Sequence, residues 1–201
     1  GFVGSDGLRK VLVLGDNVNS DGSPLIKEAE VCKSEKELLE KAFAVINSYP
    51  IIVTFNGDDF DLPYLYARSQ DPRIDAKEGK AIPKDAVPIV VKKESFIKHG
   101  MQAEPVGIRH GVHIDLFRTF QNRSIQIYAF SRKYTEYTLN AICEALIEDS
   151  KLEFEGDISE LPMQKLAEYC LKDADLTHRL TSFGDNLLMK LLVVIARIGR
   201  L

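Results

Sequence analysis

An apolar run of five residues, 51–55, lies between two segments of helical periodicity. The first of these segments opens with the capping box Ser34-Glu35-Lys36-Glu37 and should end before Pro50. A continuous apolar run of this length predicts a fully buried strand, and a second strand is predicted at 112–116. Together with a hairpin pattern in residues 2–14, this alternation predicts an α/β domain whose mixed sheet is flanked by helices.

Further helical patterns follow the strand at 51–55. Residues 61–69 predict a short helix that tolerates a proline in its first turn, and 137–147 predict a second helix. A longer helix should begin at a Ser159 cap and continue to Gly184. The prolines and lysines of 71–111 predict an inserted hairpin or a mobile arm.

The last apolar segment, 187–196, is interrupted only by Lys190. It is much shorter than the ~20 residues that a membrane helix needs, so we expect a buried helix and no membrane partner. On its own the segment would expose much apolar surface, which indicates docking against a neighbouring domain. The predicted division is a main domain over 1–184 and an apolar helix over 185–201.

Bulk composition limits the function without choosing one. The net charge is −4 and the pI is about 5.6, so any contact with a polyanion needs a local groove or bound cations. The three cysteines, Cys32, Cys143 and Cys170, have no CxxC spacing, which argues against a disulfide framework or a zinc site. With no signal peptide pattern in these residues, we expect a cytoplasmic protein.

Two acids follow patterns that suit hydrolysis of a phosphodiester. Asp61 comes shortly after the predicted strand 51–55, at the edge where α/β sheets bind ligands. Asp173 lies four residues after Tyr169, so the two side chains share one helix face. Two Mg²⁺ ions ~3.5–4 Å apart would activate water, and such hard cations prefer carboxylate oxygens. We therefore predict Asp61 and Asp173 as metal ligands, and Asp61, Tyr169 and Asp173 as catalytic residues that work with Mg²⁺ or Mn²⁺.

Each candidate also has a simpler interpretation. Alone, Asp61 would be a helix N-cap, Tyr169 a half-buried core residue and Asp173 a solvated helix charge. Asn56 and Phe60 precede Asp61 and are candidates for nucleic-acid binding, through an amide and an aromatic face. Asp115 is either a further acidic site residue or, as we favour, a hydrogen-bonded structural one.

Three ordered motifs resemble those of family B DNA polymerases. The segment from Asn56 to Asp61 resembles the second exonuclease motif, and Tyr169 to Asp173 resembles the third, Tyr-x-x-x-Asp. Between them, 138–142 is similar to a Ser/Thr-Leu-x-x-hydrophobic motif that contacts the single-stranded primer end. The residues around these motifs, notably Val53 to Leu65, look most like archaeal replicative polymerases.

The resemblance implies a fold, an activity and partners. The fold would be ribonuclease-H-like, as in DnaQ-like exonucleases, and the activity would be two-metal 3′→5′ proofreading by a DNA-directed DNA polymerase. Thr138 and Leu139 would join Asn56 and Phe60 as nucleic-acid-binding residues. The partners would be DNA, at its single-stranded 3′ end, and the polymerase domains missing from this chain, in an intracellular, nucleoid-associated protein.

The chain departs from the family at both ends. No Asp-x-Glu occurs in these residues, although the first exonuclease motif has this form. Because Gly1 resembles the middle of the family's second strand, we expect the first, central strand to be lacking and the fragment to be nearly inactive. The exposed sheet edges would then favour self-association. The end of the chain precedes any polymerase palm motif.

Two other functions stay open. The chain could be a non-catalytic DNA-binding or scaffolding module of the same fold, or a stand-alone DnaQ-like exonuclease acting on DNA or RNA. Sequence upstream of Gly1 would separate catalysis from its loss, and downstream palm carboxylates would separate a polymerase from a stand-alone nuclease.

Overall fold

The computed structural model describes residues 1–15, 26–75, 79–91, 96–98, 101–103, 105–152 and 161–199, with backbone alone at 96–98 and 101–103. The mixed α/β class predicted from the sequence is confirmed. The chain divides into two compact units. Unit 1 comprises Gly1–Val11, Val18–Ala29 and Thr119–Leu201, and unit 2 comprises Leu12–Asn17 and Glu30–Arg118.

The predicted opening hairpin is confirmed. Strand β1 (Phe2–Val3) pairs antiparallel with β2 (Arg9–Leu14), and β3 (Ala29–Cys32) completes a three-stranded sheet in the order β1-β2-β3. The turn is closed by a hydrogen bond of 2.9 Å from the Gly4 N–H to the Leu8 carbonyl. Arg9 Nη1 lies 2.5 Å from Asp175 Oδ1, which ties β2 to the long helix of unit 1.

Helix α1 (Glu35–Ser48) ends before Pro50, as predicted. The Ser34 side chain accepts from the Glu37 N–H at 3.2 Å, which is one half of the predicted capping box. The other half is shifted by one residue, because the Glu37 carboxylate accepts from the N–H of Lys33 at 2.8 Å. The first bond satisfies an N–H group that the first turn leaves unpaired, and the second ties the residue before the cap to that turn.

Strand β4 (Ile51–Thr54) pairs in parallel with β9 (Val112–Asp115). Both strands were predicted, but the prediction that the first is fully buried is wrong. Ile51 is 46% exposed, and residues 52–54 are only partly buried. The reason is that β4 pairs with β9 alone among the described strands, so one edge of this two-stranded sheet is open there.

Helix α2 (Asp61–Ser69) follows β4, as predicted, and tolerates Pro63 in its first turn. A 3₁₀ turn (Pro72–Ile74) comes next. Within 71–111, β5 (Ile89–Val91) pairs with β8 (Val106–Ile108), and β6 (Phe96–Lys98) pairs with β7 (Met101–Ala103). Both pairs are antiparallel.

The rest of unit 1 is helical. Helix α3 (Leu116–Gln121) leads from unit 2 into one π-helical turn (Ile125–Ala129), which is followed by α4 (Leu139–Ile147) and α5 (Met163–Gly199). The predicted cap Ser159 lies outside the described residues. Helix α5 is broken at Phe183–Asn186, where Gly184, Asp185 and Asn186 are left-handed, so the predicted interruption at Gly184 is confirmed.

The core of unit 1 is aromatic near the start of α4. The rings of Phe120, Phe130 and Tyr134 contact one another, and the Tyr134 hydroxyl donates to the Phe120 carbonyl at 2.9 Å. Burial raises the pKa of Tyr134 to about 12. Phe183, at the break in α5, packs on Phe130, so this cluster fixes the point where the helix changes direction.

The last part of α5 is helical, as predicted, but it is mostly not buried. Only Leu188 is fully enclosed, while Leu187, Val193, Val194, Ile195 and Ile198 are 40 to 79% exposed. Apolar residues lie on every side of this part of the helix. Because only one side packs against the rest of the unit, the apolar residues on the other sides face solvent. Among the described residues, no helix is both long enough and apolar enough to cross a bilayer.

Candidate functional site

Asp61 is the first residue of α2. The N-cap position is Phe60, which has no capping side chain, so the simpler interpretation of Asp61 as the N-cap is wrong. Burial raises the pKa of the Asp61 carboxyl, the hydrogen bond from its own peptide N–H lowers it, and the nearby Asp115 raises it again. The residue as a whole is exposed, so solvent still reaches the carboxyl, and the raised pKa has only a small effect on stability. A bound cation would favour the ionised form of this carboxyl and so offset the rise in its pKa.

The loop before Asp61 has a constrained backbone. Asn56 has a φ of 69°, in the left-handed region that non-glycine residues rarely occupy. A Cβ on Gly57 would lie 2.2 Å from Thr54 Oγ1, so no other residue fits there without movement. The N–H groups of Asn56 and Asp58 donate to the Asp115 carboxylate at 2.8 and 3.1 Å. The structural role predicted for Asp115 is therefore confirmed.

Phe60 presents a flat apolar surface. It is 67% exposed and stacks on Tyr64, which is 58% exposed, with ring centroids 6.4 Å apart and planes 6° from parallel. Such a pair offers a face on which a base or a ribose can pack. Sequence reasoning identified Phe60 but missed Tyr64, although the four-residue spacing on α2 was a usable indication.

Tyr169 and Asp173 lie one turn apart on α5 and share a lysine. Lys151 Nζ donates to the Tyr169 hydroxyl oxygen at 3.0 Å and to Asp173 Oδ2 at 2.7 Å. The ammonium also lies 5.2 Å from the centre of the Tyr169 ring. Burial lowers the pKa of Lys151, but its hydrogen bonds to Asp173 and Tyr169 outweigh that effect and raise it. The lysine is thus held as a cation beside the two predicted residues.

The second carboxylate oxygen of Asp173, Oδ1, is buried. It accepts no hydrogen bond from any residue that the structure describes. A buried carboxylate oxygen without a partner is costly, because it has lost water and gained nothing. A bound cation would remove this cost, so the chemistry of Asp173 fits a divalent metal ion.

Lys151, like Tyr64, was not identified from the sequence as a candidate residue. It lies in the connection between α4 and α5, and 18 and 22 residues separate it from Tyr169 and Asp173. Only the fold brings these residues together. The Lys151 N–H donates to the Asn140 side chain at 2.7 Å, which anchors this connection to α4.

An ion-pair cluster beside Lys151 fastens α5. Asp149 accepts from Lys172 Nζ at 2.8 Å with both oxygens and also pairs with Arg179. Hydrogen bonds from Lys172, Ser150 and Arg179 lower the pKa of Asp149 to about 2. Lys151 comes two residues after Asp149. Because Asp149 is bound to α5, the backbone near Lys151 is held beside the helix that contains Asp173.

Thr138 and Leu139 begin α4. The Thr138 hydroxyl accepts from the Ala141 N–H at 3.2 Å, so this residue is the N-cap of the helix. Thr138 is exposed, whereas Leu139 is 6% exposed and belongs to the core.

The predicted residues fall into two groups. Asn56, Phe60 and Asp61 lie in unit 2, and Thr138, Leu139, Tyr169 and Asp173 lie in unit 1. Within the ranges that the structure describes, no three His, Cys, Asp or Glu side chains are grouped closely enough to hold a metal ion.

Comparison with known proteins decides the family. Residues 10–142, more than half of the chain, match the model for the exonuclease domain of DNA polymerase family B. The chain belongs to this family. Membership implies a ribonuclease-H-like fold, in agreement with the mixed α/β architecture.

The relatives are archaeal DNA polymerases. The chain is 42% identical over 202 residues to DNA polymerase 1 of Sulfolobus acidocaldarius, covering 100% of this chain and 21% of the relative. DNA polymerase 1 of Saccharolobus solfataricus gives the same identity and coverage. DNA polymerase 1 of Aeropyrum pernix is 35% identical over 195 residues, covering 96% of the chain and 18% of the relative. The chain thus spans about a fifth of the length of these family B relatives.

Proposed function

We propose that the chain contains the 3′→5′ proofreading exonuclease site of a family B DNA-directed DNA polymerase, which hydrolyses the 3′-terminal phosphodiester of DNA. The observation that most supports this is the buried Oδ1 of Asp173, which has no hydrogen-bond partner among the described residues and lies one helical turn from Tyr169. Family membership supports the same activity.

Asp61 and Asp173 would hold divalent ions, Mg²⁺ or Mn²⁺, in a two-metal site. Such ions, when bound, activate a water molecule and stabilise charge on the attacking and leaving oxygens. Asp173 would use Oδ1, because Oδ2 already accepts from Lys151. Asp61 would use a carboxyl that solvent still reaches.

Tyr169 would orient the attacking water. Lys151 donates to the phenolic oxygen, and a phenol is also a donor, so the Tyr169 hydroxyl would donate to a water or a phosphate oxygen. The Lys151 ammonium would also lower the energy of the negative charge that develops on the phosphate. Its hydrogen bond to Asp173 holds that carboxylate in one orientation.

Four residues would contact the DNA. Phe60 would stack on a base or ribose of the unpaired 3′ end, and Asn56 would hydrogen-bond sugar or phosphate. Thr138 is exposed and its hydroxyl hydrogen can still be donated. Leu139 is buried, so it would act by fixing the first turn of α4.

The partners follow from this function. DNA, with a single-stranded 3′ end, is the proposed substrate, and the remaining polymerase domains are the proposed intramolecular partners. The apolar surface of 185–201 would pack on those domains, with 1–184 as the exonuclease part. Self-association through the open edge of the β4–β9 sheet is a further proposal. We place the protein inside the cell, at the nucleoid.

The test uses the complete protein encoded by the reading frame in which these residues lie. With Mg²⁺, it should shorten a 5′-labelled single-stranded oligonucleotide from the 3′ end, and excess chelator should stop the reaction. The 201-residue chain alone should be nearly inactive, because it has no Asp-x-Glu pair. Absence of metal-dependent shortening by the complete protein would overturn the proposal.

A non-catalytic DNA-binding module is the second candidate. It is favoured by the absence of a three-residue ligand group among the described residues and by the cation already beside Asp173. The two candidates differ in the sequence before Gly1. An Asp-x-Glu pair on a strand there supports catalysis, and its replacement supports binding alone.

A further inference from the structure

The loop that leads to Asp61 is held by one buried carboxylate. Asp115, at the end of β9, is 7% exposed and accepts three peptide N–H groups. Its Oδ1 accepts from Asn56 at 2.8 Å and from Phe117 at 2.9 Å, and its Oδ2 accepts from Asp58 at 3.1 Å. Two of these donors belong to the loop, and the third belongs to the first turn of α3.

The loop needs this support. Asn56 is left-handed, with φ at 69°, and such a backbone is unfavourable without external contacts. The turn continues with a hydrogen bond of 3.1 Å from the Phe60 N–H to the Asn56 carbonyl, and another of 2.9 Å from the Leu62 N–H to the Gly57 carbonyl. These bonds lead directly into the first turn of α2. The position of Asn56 and Gly57 therefore sets where α2 begins, and so where Asp61 lies.

The other contacts with the loop are made to its side chains. His113 Nδ1 lies 3.2 Å from Asp58 Oδ1, and Arg118 pairs with Asp58 at 2.9 Å and with Asp59 at 3.0 Å. A side-chain ion pair leaves the peptide groups free to turn. Asp115 alone in this group binds peptide N–H groups on both sides of the turn.

We propose that Asp115 is a positioning residue of the exonuclease, which fixes the Asn56–Asp58 turn so that Asp61 can ligate the metal ion. This inference rests on the proposed function. Asp115 contacts neither substrate nor metal in this account, and it acts through the backbone between Asn56 and Asp61.

The variant Asp115→Asn keeps one acceptor oxygen and replaces the other with an NH₂ group. The amide oxygen can replace Oδ1 and keep the bonds from Asn56 and Phe117. The amide nitrogen then faces the Asp58 N–H, so two donors meet and that bond is lost. The turn should loosen at Asp58, while strand β9 and the start of α3 keep their contacts.

The experiment measures, in the complete protein, the exonuclease rate against Mg²⁺ concentration and, separately, Mg²⁺ binding by isothermal titration calorimetry, which should show the same shift. Asp115→Asn should raise the half-saturating Mg²⁺ concentration by about tenfold or more and recover much of the rate at saturating Mg²⁺. Asp115→Glu, which retains two acceptor oxygens, should show a smaller increase. The matched control Asp59→Asn removes one acid from the same loop, where the carboxyl pairs with Arg118 at the surface, and should leave the Mg²⁺ dependence unchanged.

The outcomes separate this inference from the proposed function. An unchanged half-saturating Mg²⁺ concentration for Asp115→Asn, or a lower rate at every concentration without a shift, overturns the positioning role. If Asp115→Asn does not fold, the half-saturating Mg²⁺ concentration of Asp115→Glu is used instead, and the same results overturn the positioning role. Asp61→Asn must abolish exonuclease activity in the same assay. If it does not, the proposed site itself is wrong.

Discussion

The loop before Asp61 and the helix around Asp173 hold their carboxylates in opposite ways. At Asp61 the protein fixes the main chain, through Asp115, and leaves the carboxyl group exposed. At Asp173 the main chain is ordinary helix, and the side chain itself is fixed by Lys151, with one oxygen buried and unpartnered in the described residues. Asp61 is thus positioned through its backbone, and Asp173 is positioned through the ammonium group of Lys151.

This difference indicates which forces hold each carboxylate. A carboxyl positioned by its backbone is sensitive to strain and loop packing. A carboxylate positioned by an ion pair is sensitive to charge. Variants that change only one of these properties should therefore affect the two acids differently.

The largest expected effect is the loss of either metal ligand. In the complete protein, Asp61→Asn and Asp173→Asn should each lower the exonuclease rate by on the order of 10³-fold, because metal ions supply several kcal/mol of charge stabilisation. Polymerisation by the same protein should not change. Asp175→Asn is the matched control on α5, since Asp175 pairs with Arg9 instead. If Asp61→Asn or Asp173→Asn keeps the wild-type rate, that acid is not a ligand.

Removal of the Lys151 charge should have the next largest effect. Lys151→Met keeps most of the apolar stem but removes the donor to Tyr169 and Asp173, so we expect a rate about 10 to 100-fold lower. Lys151→Arg should restore part of the rate. Lys165→Met, an exposed lysine on α5, serves as the control. Equal rates for Lys151→Met and Lys165→Met would refute the role of the ammonium.

Strain in the Asp61 loop should affect folding. Gly57→Ala places a Cβ 2.2 Å from Thr54 Oγ1 and should destabilise the chain by about 1–3 kcal/mol in urea unfolding. Gly79→Ala has no atom within 4 Å and introduces only left-handed strain, with φ at +62°. Gly57→Ala must therefore cost more than Gly79→Ala. The reverse order would contradict the tight packing of this loop.

The smallest effect concerns the pH dependence of stability. Because burial and Asp115 raise the pKa of Asp61, its ionised form disfavours folding at neutral pH. Asp61→Asn should raise the melting temperature of the chain at pH 7, by on the order of 1 °C. The gain should disappear below pH ~3.9, the ordinary pKa of an aspartate, where the wild-type carboxyl is protonated in both states. A variant that melts lower at pH 7 would show that Asp61 stabilises the fold.

Local patterns predicted most of the elements. The Ser34 cap, the end of α1 before Pro50 and the break in α5 at Gly184 all follow from rules that act within a few residues. The burial of β4 was predicted incorrectly, since burial depends on neighbouring strands rather than on the composition of the strand itself.

The candidate residues show the same contrast between local patterns and contacts formed by the fold. Asp61, Tyr169 and Asp173 were found because each lies in a recognisable motif. Lys151 was missed because its contacts join residues from separate parts of the chain. Asp115 was correctly expected to be hydrogen-bonded, but the sequence did not indicate that its donors would be the N–H groups of the Asp61 loop.

We propose that Asp61 and Asp173 are both metal ligands. The most direct test is anomalous diffraction from crystals of the complete protein grown with Mn²⁺. The expected result is anomalous signal from bound Mn²⁺ at the carboxylates of both Asp61 and Asp173. Peaks at only one of these acids, or at neither, would contradict it.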